Sequence, residues 1–342
     1  MTTMADVARA AGVSVTTVSH VVNKTRRVNP ETVAAVEGAI QATGYIPDQV
    51  ARSIRTGGTR TIGCAISAMS NPYFAEVVHG VERAAARAGY SLLLTDTHDD
   101  PAGQMRAIAT LLSRRVDAVV LAPSHDATAA ITQVTSRGLP IVLIDRFFDA
   151  PIDQVGSENV EPTAELVDHL ASLGHRRIAL VAGLDGLATT TERLEGFRLG
   201  LRRNKLRPVS DLIASGANLE AYHVTRQFLS KTKPPTALVV GSNRMTIGAM
   251  RAIRDSGLTV PDDIALVAFD DFEWADLFHP RLTAIAQATA EMGELAVQMI
   301  LSRLAEPELE PRKERLPAVF VHRESCGCPA SHGAAAVADF AS

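Results

Sequence analysis

The chain has 342 residues, of which 46% are hydrophobic and 21% are charged, and it contains three cysteines. This length allows two or three domains with a large core, and three cysteines exclude a disulfide framework. Apolar runs such as residues 141–144 are far too short to cross a bilayer, and the N-terminus lacks the basic and apolar regions of a signal peptide. We therefore expect a cytoplasmic protein with no membrane partner.

The net charge of −4 is unevenly distributed along the chain. Residues 1–60 carry seven basic and four acidic side chains, whereas the remainder carries 27 basic and 34 acidic ones. A basic N-terminal segment on an acidic body favours a polyanionic partner for that segment alone.

The N-terminal segment predicts two short helices joined by a tight turn. Apolar residues recur at helical spacing over residues 4–11, Gly12 supplies the positive φ that the turn needs, and Ser14 is a good N-cap for the second helix. On that helix Val18, Val21 and Val22 can pack on the first helix, while Thr16 and His20 project together on the other side. Such an exposed polar face is what reading of the DNA major groove requires.

Two further helices complete this segment. Residues 30–43 predict a third helix, because Pro30 suits its first position and Gly44 follows its end. Residues 49–55 predict a short helix with a small apolar face, which is too short to be stable alone in water. We expect a head over residues 1–47 and a hinge helix with its linker over residues 48–59.

The body alternates short apolar strands with helices in two runs. The predicted strands are residues 61–67, 91–97, 117–124 and 140–146, then 177–183, 212–216, 237–241 and 264–270, and residues 72–88 predict a helix. This alternation predicts parallel sheets covered on both faces, in two Rossmann-like subdomains. We expect the first at about 60–160 plus 290–320, the second at about 161–289 plus 321–330, and a mobile tail at 331–342. Ligands should bind beyond the carboxyl ends of the strands, where the loops are polar.

Several sequence words resemble those of one protein family. In the head they are DVARAAGVSVTTVSHVVN, GYIP and ARSIRTG, and in the body SNPYFAE, GHRRIALV, RLEGF, GLTVPDDIALVAFDD and PRLTAI. On these words nearly the whole chain resembles the lactose-repressor (LacI) family of bacterial regulators, and TTVSHVVNKTRRV resembles its purine-repressor branch most. The body of that family is itself similar to periplasmic sugar-binding proteins. The resemblance therefore implies an α-helical DNA-binding head and an α/β effector-binding core.

The resemblance also assigns roles in the head. It implies that Val15, Thr16 and His20 read base edges and that Ser14, Thr17, Asn23 and Arg26 lie near phosphates. In the hinge it implies minor-groove or phosphate contacts from Arg52 and Arg55 and a minor-groove wedge at Ile54, where leucine is commoner. Two alternatives stay open: His20 is only a solvated helix residue, and the hinge is a disordered linker in the absence of DNA.

In the body the resemblance implies a cleft between the two subdomains. The residues expected to face it are Asn71, Tyr73, Phe74, Ser124, Asp145, Arg146, Arg193, Asn243, Asp270 and Trp274. Asp270 can accept hydrogen bonds from adjacent hydroxyls, Arg193 offers a forked donor pair, and the aromatic rings suit a sugar face. The alternatives are that Asp270 only caps the following turn, that Trp274 is subdomain core, and that Arg146 forms an ion pair between subdomains.

The chain departs from the family at two places near this cleft. Arg244 follows Asn243 where an acidic residue is usual, and residues 184–192 lack the arginine of the purine branch, with Leu187 or a neighbour in its place. A purine effector is therefore not implied. The additional cation at Arg244 favours an acidic effector such as a sugar acid or sugar phosphate.

Catalytic and metal-binding motifs were not found in the sequence. There is no nucleophile elbow, no phosphate-binding loop and no dinucleotide fingerprint. Cys326 and Cys328 are close to the C-terminus, and we expect them to lack partners for a metal site. We expect no enzyme activity, cofactor or metal, but a homodimeric repressor that binds a near-palindromic operator under the control of a sugar-like effector, with a tetramer left open. The alternative is a solute-binding protein with a vestigial head.

Overall fold

A computed structural model describes residues 2–23, 25–45, 58–209, 212–214 and 218–328. The chain divides into two compact units, the head (residues 1–59) and the core (residues 60–342). The predicted hinge helix at residues 49–55 and the predicted tail at residues 331–342 lie outside the described residues.

The head contains the three helices expected from the sequence: α1 (Met4–Ala11), α2 (Val15–Asn23) and α3 (Pro30–Thr43). Thr3 and Asp6 form a reciprocal capping box at the start of α1, which satisfies two backbone donors. Gly12 and Gly44 end α1 and α3 at φ values of 65° and 61°. The helices bury one small apolar cluster, formed by Val7, Ala8, Val18, Val36, Ala39 and Tyr45.

The described residues of the core form twelve strands in two six-stranded sheets. The strands are β1 (Thr61–Ile66), β2 (Ser91–Asp96), β3 (Ala118–Leu121), β4 (Ile141–Ile144), β5 (Asp153–Ser157), β6 (Ile178–Val181), β7 (Ile213–Ala214), β8 (Ala237–Val240), β9 (Ala265–Phe269), β10 (Thr283–Gln287), β11 (Lys313–Leu316) and β12 (Ala318–Val321). The first sheet has the order β11-β5-β4-β3-β1-β2, and the second has the order β12-β10-β9-β8-β6-β7. All pairs are parallel except β10 with β12.

Helices cover both faces of each sheet, as continuous apolar strands require. They are α4 (Pro72–Arg87), α5 (Pro101–Ser113), α6 (Thr128–Thr135), α7 (Val160–Ser172), α8 (Ala188–Arg203), α9 (Asn218–Leu229), α10 (Asn243–Asp255) and α11 (Thr289–Ala305), with a short 3-10 helix at Glu273–Asp276. Each sheet thereby separates two buried apolar clusters. None of the described helices is long and apolar enough to span a membrane.

All eight strands predicted from apolar runs are present, but four others were not predicted. β5 is fully buried although its sequence is DQVGS, because Asp153 accepts hydrogen bonds from Arg303 and Gln154 bonds the backbone of Phe148. β11 reads KERL and lies at the edge of the first sheet, where one side faces solvent. A search for apolar runs cannot detect a buried strand whose polar residues are paired. It also cannot detect an edge strand whose residues are charged.

The chain passes between the two sheets three times. It crosses through α7 between β5 and β6, returns through α11 between β10 and β11, and crosses again between β11 and β12, where Pro317 alone separates the strands. On one face of the first sheet, α11 packs closely on α4, since a Cβ added at Gly293 would lie 2.3 Å from the carbonyl oxygen of Val77. The two halves of the core are thus tied by three connections.

Candidate functional site

A cavity of about 720 Å³ opens at the carboxyl ends of strands from both sheets. This volume is typical of small-molecule sites, which span ~300–1,000 Å³. Its lining includes Ser67, Asn71, Tyr73, Phe74, Asp96, Asp99, Asp145 and Arg146 from the first half, and Leu187, Thr190, Arg193, Ser242, Arg244, Asp270 and Gln287 from the second. Both halves therefore contribute charged and hydrogen-bonding groups to one space.

On the side of the first sheet, α4 positions an aromatic donor. Asn71 caps α4 by accepting a hydrogen bond from the backbone of Tyr73 at 3.1 Å. The hydroxyl of Tyr73 donates to Asp145 Oδ1 at 2.7 Å. Burial and the negative charge of Asp145 raise the pKa of Tyr73 well above its usual value, so this hydroxyl keeps its proton and remains a donor.

Arg146 is buried in the same half and is held by several acceptors. It pairs with Asp99 and Asp145 and donates to the carbonyl of Pro123 and the hydroxyl of Ser67. Burial lowers the pKa of Arg146, but the charges of Asp99 and Asp145 outweigh that effect and raise it. All these partners belong to the first half, so the alternative of an ion pair between subdomains is wrong.

On the side of the second sheet, Asp270 and Arg193 form the polar centre. Asp270 accepts hydrogen bonds from Gln287 at 2.5 Å and from the backbone of Asn243 at 3.4 Å, and Arg193 lies 3.8 Å away. Burial raises the pKa of Asp270, and the charge of Arg193 offsets part of that rise. Asp270 makes no capping bond to the 3-10 helix that follows, and it lines the cavity, so its role is not limited to capping.

Arg193 is fixed more firmly than a flexible surface arginine. Its Nε donates to Asn159 Oδ1 at 2.9 Å and its guanidinium donates to the carbonyl of Gly241. The guanidinium also stacks on the ring of Phe269, 3.9 Å from the centroid. Such a fixed cation is a preorganised donor, because a ligand that binds it need not order it.

Three residues expected at the cleft do not line this cavity. Ser124 donates its hydroxyl to the carbonyl of Asp126. Trp274 lies in an aromatic cluster with Phe272 and Phe278 and is 38% exposed. Asn243 is only 2% exposed, and its side-chain amide has no hydrogen-bond partner among the described residues.

Other lining residues were not selected from the sequence. Gln287 lies at the end of β10, a strand that was not predicted, although it is only two residues beyond the word PRLTAI. Asp96 ends β2 and accepts three backbone N–H groups, from Ala68, Met69 and His98. The general rule that ligands bind beyond strand ends could have found both residues.

The expectation that Cys326 and Cys328 lack metal-binding partners is wrong. His169 and His322 lie beside them, and one ligand atom from each of the four residues lies within 4.8 Å of the others. His169 is 159 residues from Cys328 in the chain, so spacing along the sequence could not reveal this contact.

In the head, the predicted reading residues follow one stretch of α2. Ser14 caps this helix by accepting from the backbone of Thr17 at 3.1 Å. Val15 and Thr16 are exposed beside it, and Val15 is 47% exposed although it is apolar. The fully buried Val18 holds the opposite face against α1 and α3. Exposure of one face and burial of the other leaves these side chains accessible to a partner.

The remaining predicted DNA contacts are only partly described. His20 Nδ1 lies 2.8 Å from the hydroxyl of Thr25, which leaves its other ring nitrogen for a partner. Asn23 donates to the carbonyl of Ser19, and Arg26 is exposed. Arg52, Ile54 and Arg55 lie outside the described residues.

A helix-turn-helix head in the same chain as a two-sheet core with a polar cavity defines a class of protein: a DNA-binding regulator controlled by a small ligand. Comparisons with known proteins identify the family. Residues 3–48 match the family described as bacterial regulatory proteins, lacI family, and residues 167–326 match the periplasmic binding protein-like domain.

Individual relatives agree with these matches. The chain is 36% identical to the ribose operon repressor of Escherichia coli (strain K12), covering 95% of this chain and 100% of that one. It is 34% identical to the HTH-type transcriptional repressor PurR of Haemophilus influenzae (strain PittEE), covering 89% and 91%.

Solved structures show the same architecture. The lac repressor bound to ONPG in its repressed state matches with a TM-score of 0.83 at 31% identity, over 95% of this chain and 99% of that one. A LacI family transcriptional regulator from Enterococcus faecium with bound ribose matches with a TM-score of 0.69 at 25% identity, over 78% and 98%. The chain belongs to the LacI family, and it is a DNA-binding transcriptional regulator controlled by a small-molecule effector.

Proposed function

We propose that this regulator is a homodimeric repressor that binds a near-palindromic operator and whose operator affinity is set by a small neutral sugar in the core cavity. The observation that carries the proposal is the pair of buried carboxylates, Asp145 and Asp270, that line this cavity from opposite halves. Carboxylates accept hydrogen bonds from hydroxyl groups, and a sugar presents several hydroxyls in fixed directions.

The charge of the lining favours a neutral ligand over an anion. Four carboxylates and three guanidinium groups line the cavity: Asp96, Asp99, Asp145 and Asp270 against Arg146, Arg193 and Arg244. An anionic ligand would meet an excess of negative charge, whereas hydroxyl groups can donate to carboxylates and accept from arginines. The ribose operon repressor and the ribose-bound regulator among the relatives support a sugar of pentose size.

The second candidate effector is a sugar acid or sugar phosphate, and Arg244 is the residue that favours it. Calorimetry with ribose, ribose 5-phosphate and gluconate separates the two candidates. Binding of ribose with no heat from either anion supports the neutral effector and rejects the acidic one. Binding of an anion with none of ribose rejects the neutral effector.

Coupling to DNA would follow from the position of the cavity between the two halves of the core. A ligand that contacts Tyr73 and Asp145 in one half and Arg193 and Asp270 in the other stabilises one angle between the halves. The effector can change operator affinity only by its differential affinity for the two arrangements. Since the partner is chromosomal DNA, we place the action of the protein in the cytoplasm.

In the head, we propose that Val15, Thr16 and His20 contact base edges, with Ser14, Thr17, Asn23 and Arg26 near phosphates. The exposed face of α2 and the exposure of Val15 support this assignment. We assign Arg52, Ile54 and Arg55 to the operator centre on family resemblance alone.

A mobility-shift assay on the DNA upstream of the protein's own gene tests the regulator against the alternative of a solute-binding protein with a vestigial head. We expect a shifted band that changes when the effector is added. The absence of any shift at low salt, with that fragment and with fragmented genomic DNA, would contradict the proposed repressor. Light scattering of the free protein tests the dimer separately.

A further inference from the structure

Four side chains with metal-binding atoms converge at one end of the second half of the core. His169 lies in the last turn of α7, His322 follows β12 directly, and Cys326 and Cys328 occupy the next turn of the chain. Their ligand atoms, one from each residue, all lie within 4.8 Å of one another. This cluster is separate from the cavity, and none of its members lines it.

The donor set and its spacing match those of a structural zinc site. Such sites hold Zn²⁺ with two thiolates and two imidazoles at about 2.3 Å and 2.0–2.1 Å, which places neighbouring ligand atoms roughly 3.5 Å apart. Cys328 Sγ and His169 Nε2 are already 3.5 Å apart. The other atoms need to move inward by about 1 Å at most to complete a tetrahedron around a zinc ion.

Neighbouring residues orient these four side chains, and a nearby carboxylate is bound to an arginine. His169 packs edge-on against Phe320, with ring centroids 5.2 Å apart, and Thr283 donates its hydroxyl to Cys326 Sγ. The nearby Glu324 is bound by Arg281 at 2.9 Å. The imidazole and thiol groups are thus held by packing and a second set of contacts, as metal ligands usually are.

One contact argues that His169 serves as more than packing. Its Nε2 contacts the thiol of Cys328, not a carbonyl or carboxylate. An imidazole nitrogen that faces a thiol is placed as the two would be if they shared a metal ion.

We propose that His169, His322, Cys326 and Cys328 form a structural zinc site that fastens the chain after β12 to the end of α7. Binding of Zn²⁺ displaces the two thiol protons and forms two Zn–S and two Zn–N bonds. Four protein ligands leave no open coordination position, so the site stabilises the structure and carries no catalysis. It would hold together segments that are distant in the sequence.

Metal analysis of the full-length protein tests this site. Protein purified with a thiol reductant and without chelator should contain about one zinc ion per chain by mass spectrometry. After zinc is removed, added Co²⁺ should give the visible bands of a tetrahedral site and the near-ultraviolet charge-transfer band of thiolate ligands. Both signals should be lost in Cys328→Ser and strongly reduced in His322→Gln, whose side chain is exposed, so the fold should not depend on it.

His175→Gln is the matched control. His175 is near His169 but bonds the hydroxyl of Thr236, so its replacement should leave zinc content and the cobalt spectrum unchanged. Zinc should raise the melting temperature of the wild type and of His175→Gln, but not that of Cys328→Ser. Reduced wild-type protein that takes up neither zinc nor cobalt overturns the proposal, as does full metal content in His322→Gln and Cys328→Ser. The proposal is also overturned if Cys326 and Cys328 are found as a disulfide and the protein still binds no cobalt after that disulfide has been reduced.

Discussion

Asp145 and Asp270 occupy corresponding places in the two sheets and face the same cavity. Asp145 directly follows β4 and Asp270 directly follows β9, each the third strand of its sheet in the order given above. Their φ angles are 70° and 72°, a left-handed conformation that asparagine and aspartate tolerate better than most residues. The charge of Asp145 contributes to the raised pKa of Asp270. The two halves thus present one carboxylate each to a shared ligand.

Replacing Asp270 with asparagine separates ligand binding from stability. Burial raises the pKa of Asp270 above 3.8, so the folded state holds this proton more readily than the unfolded state does. The stability contributed by this carboxyl group is therefore present at pH below 3.8 and is lost as the pH rises through the raised pKa. At neutral pH we expect Asp270→Asn to be no less stable than the wild type, while its effector affinity falls by at least ~10-fold, because an acceptor becomes partly a donor.

Urea unfolding of both proteins is measured from about pH 4 to pH 7, because carboxyl groups titrate over roughly this range. Calorimetry measures the affinity of both proteins for the effector. The wild type should gain stability relative to Asp270→Asn as the pH falls. A wild type that instead loses stability relative to the variant on acidification contradicts the raised pKa.

Arg193→Met should abolish effector binding and weaken the core. The buried guanidinium bonds Asn159 and Gly241 and compensates Asp270. Its removal leaves the buried carboxylate of Asp270 without a cation and the acceptors of Asn159 and Gly241 without a donor, which costs about 3–5 kcal/mol. Arg203→Met on the same helix is the control, because Arg203 pairs with Glu161 at the surface and such pairs contribute about 0–1 kcal/mol. Equal unfolding free energies for the two variants would show that Arg193 does not act as described.

In the head, His20→Ala should relax the preference at one base pair in each half-site, at a cost of about 1–3 kcal/mol for the preferred base. Thr25 engages Nδ1 of this ring, so Nε2 is the atom that we expect to meet the base. Binding measured on a set of operators with single substitutions checks this. Unchanged base preference would mean that His20 is only a solvated helix residue.

Arg26→Ala should act differently from His20→Ala. An exposed arginine near a phosphate adds affinity for every sequence alike. The variant should therefore bind all operators more weakly, and its slope of log affinity against log salt should be shallower by about one unit. A changed base preference with an unchanged salt slope would reverse the roles assigned to the two residues.

Gly293→Ala should destabilise the core by about 1–3 kcal/mol. The added methyl group would lie 2.3 Å from the carbonyl oxygen of Val77 and 2.6 Å from the backbone nitrogen of Val81, so α11 and α4 must move apart. Gly38→Ala in α3 is the matched control, because a Cβ there meets nothing within 4 Å. There we expect a gain in helix stability of roughly 0.5–1 kcal/mol. Urea unfolding measures both changes, and a Gly293→Ala protein as stable as the wild type would contradict the close packing.

The sequence was sufficient for the head and for most of the two sheets because the signals there are local. Gly12 and Gly44 end helices at the positions where their spacing predicts an end, and continuous apolar runs mark eight of the strands. The polar residues at strand ends, such as Asp145 and Asp270, follow from the general position of ligand sites in α/β folds.

The parts that the sequence did not predict depend on contacts between distant residues. The buried strand at Asp153–Ser157 is polar because Arg303 compensates Asp153 from 150 residues away. Gln287 reaches the cavity only because β10 pairs with β9 in the second sheet. The cluster around Cys326 requires His169, which no spacing rule links to it. In each of these cases, the role of a residue depends on partners that are distant in the sequence and that only the fold brings close.

Pro317 forms a very short link between the two halves of the core. It is the sole residue between β11 and β12, which belong to different sheets, and its ring fixes φ near −65°. The ends of the two strands are only two residues apart, so at most about 7 Å of extended chain separates them. A change in the angle between the sheets must therefore keep these two edges close together, whatever the two longer helical connections allow.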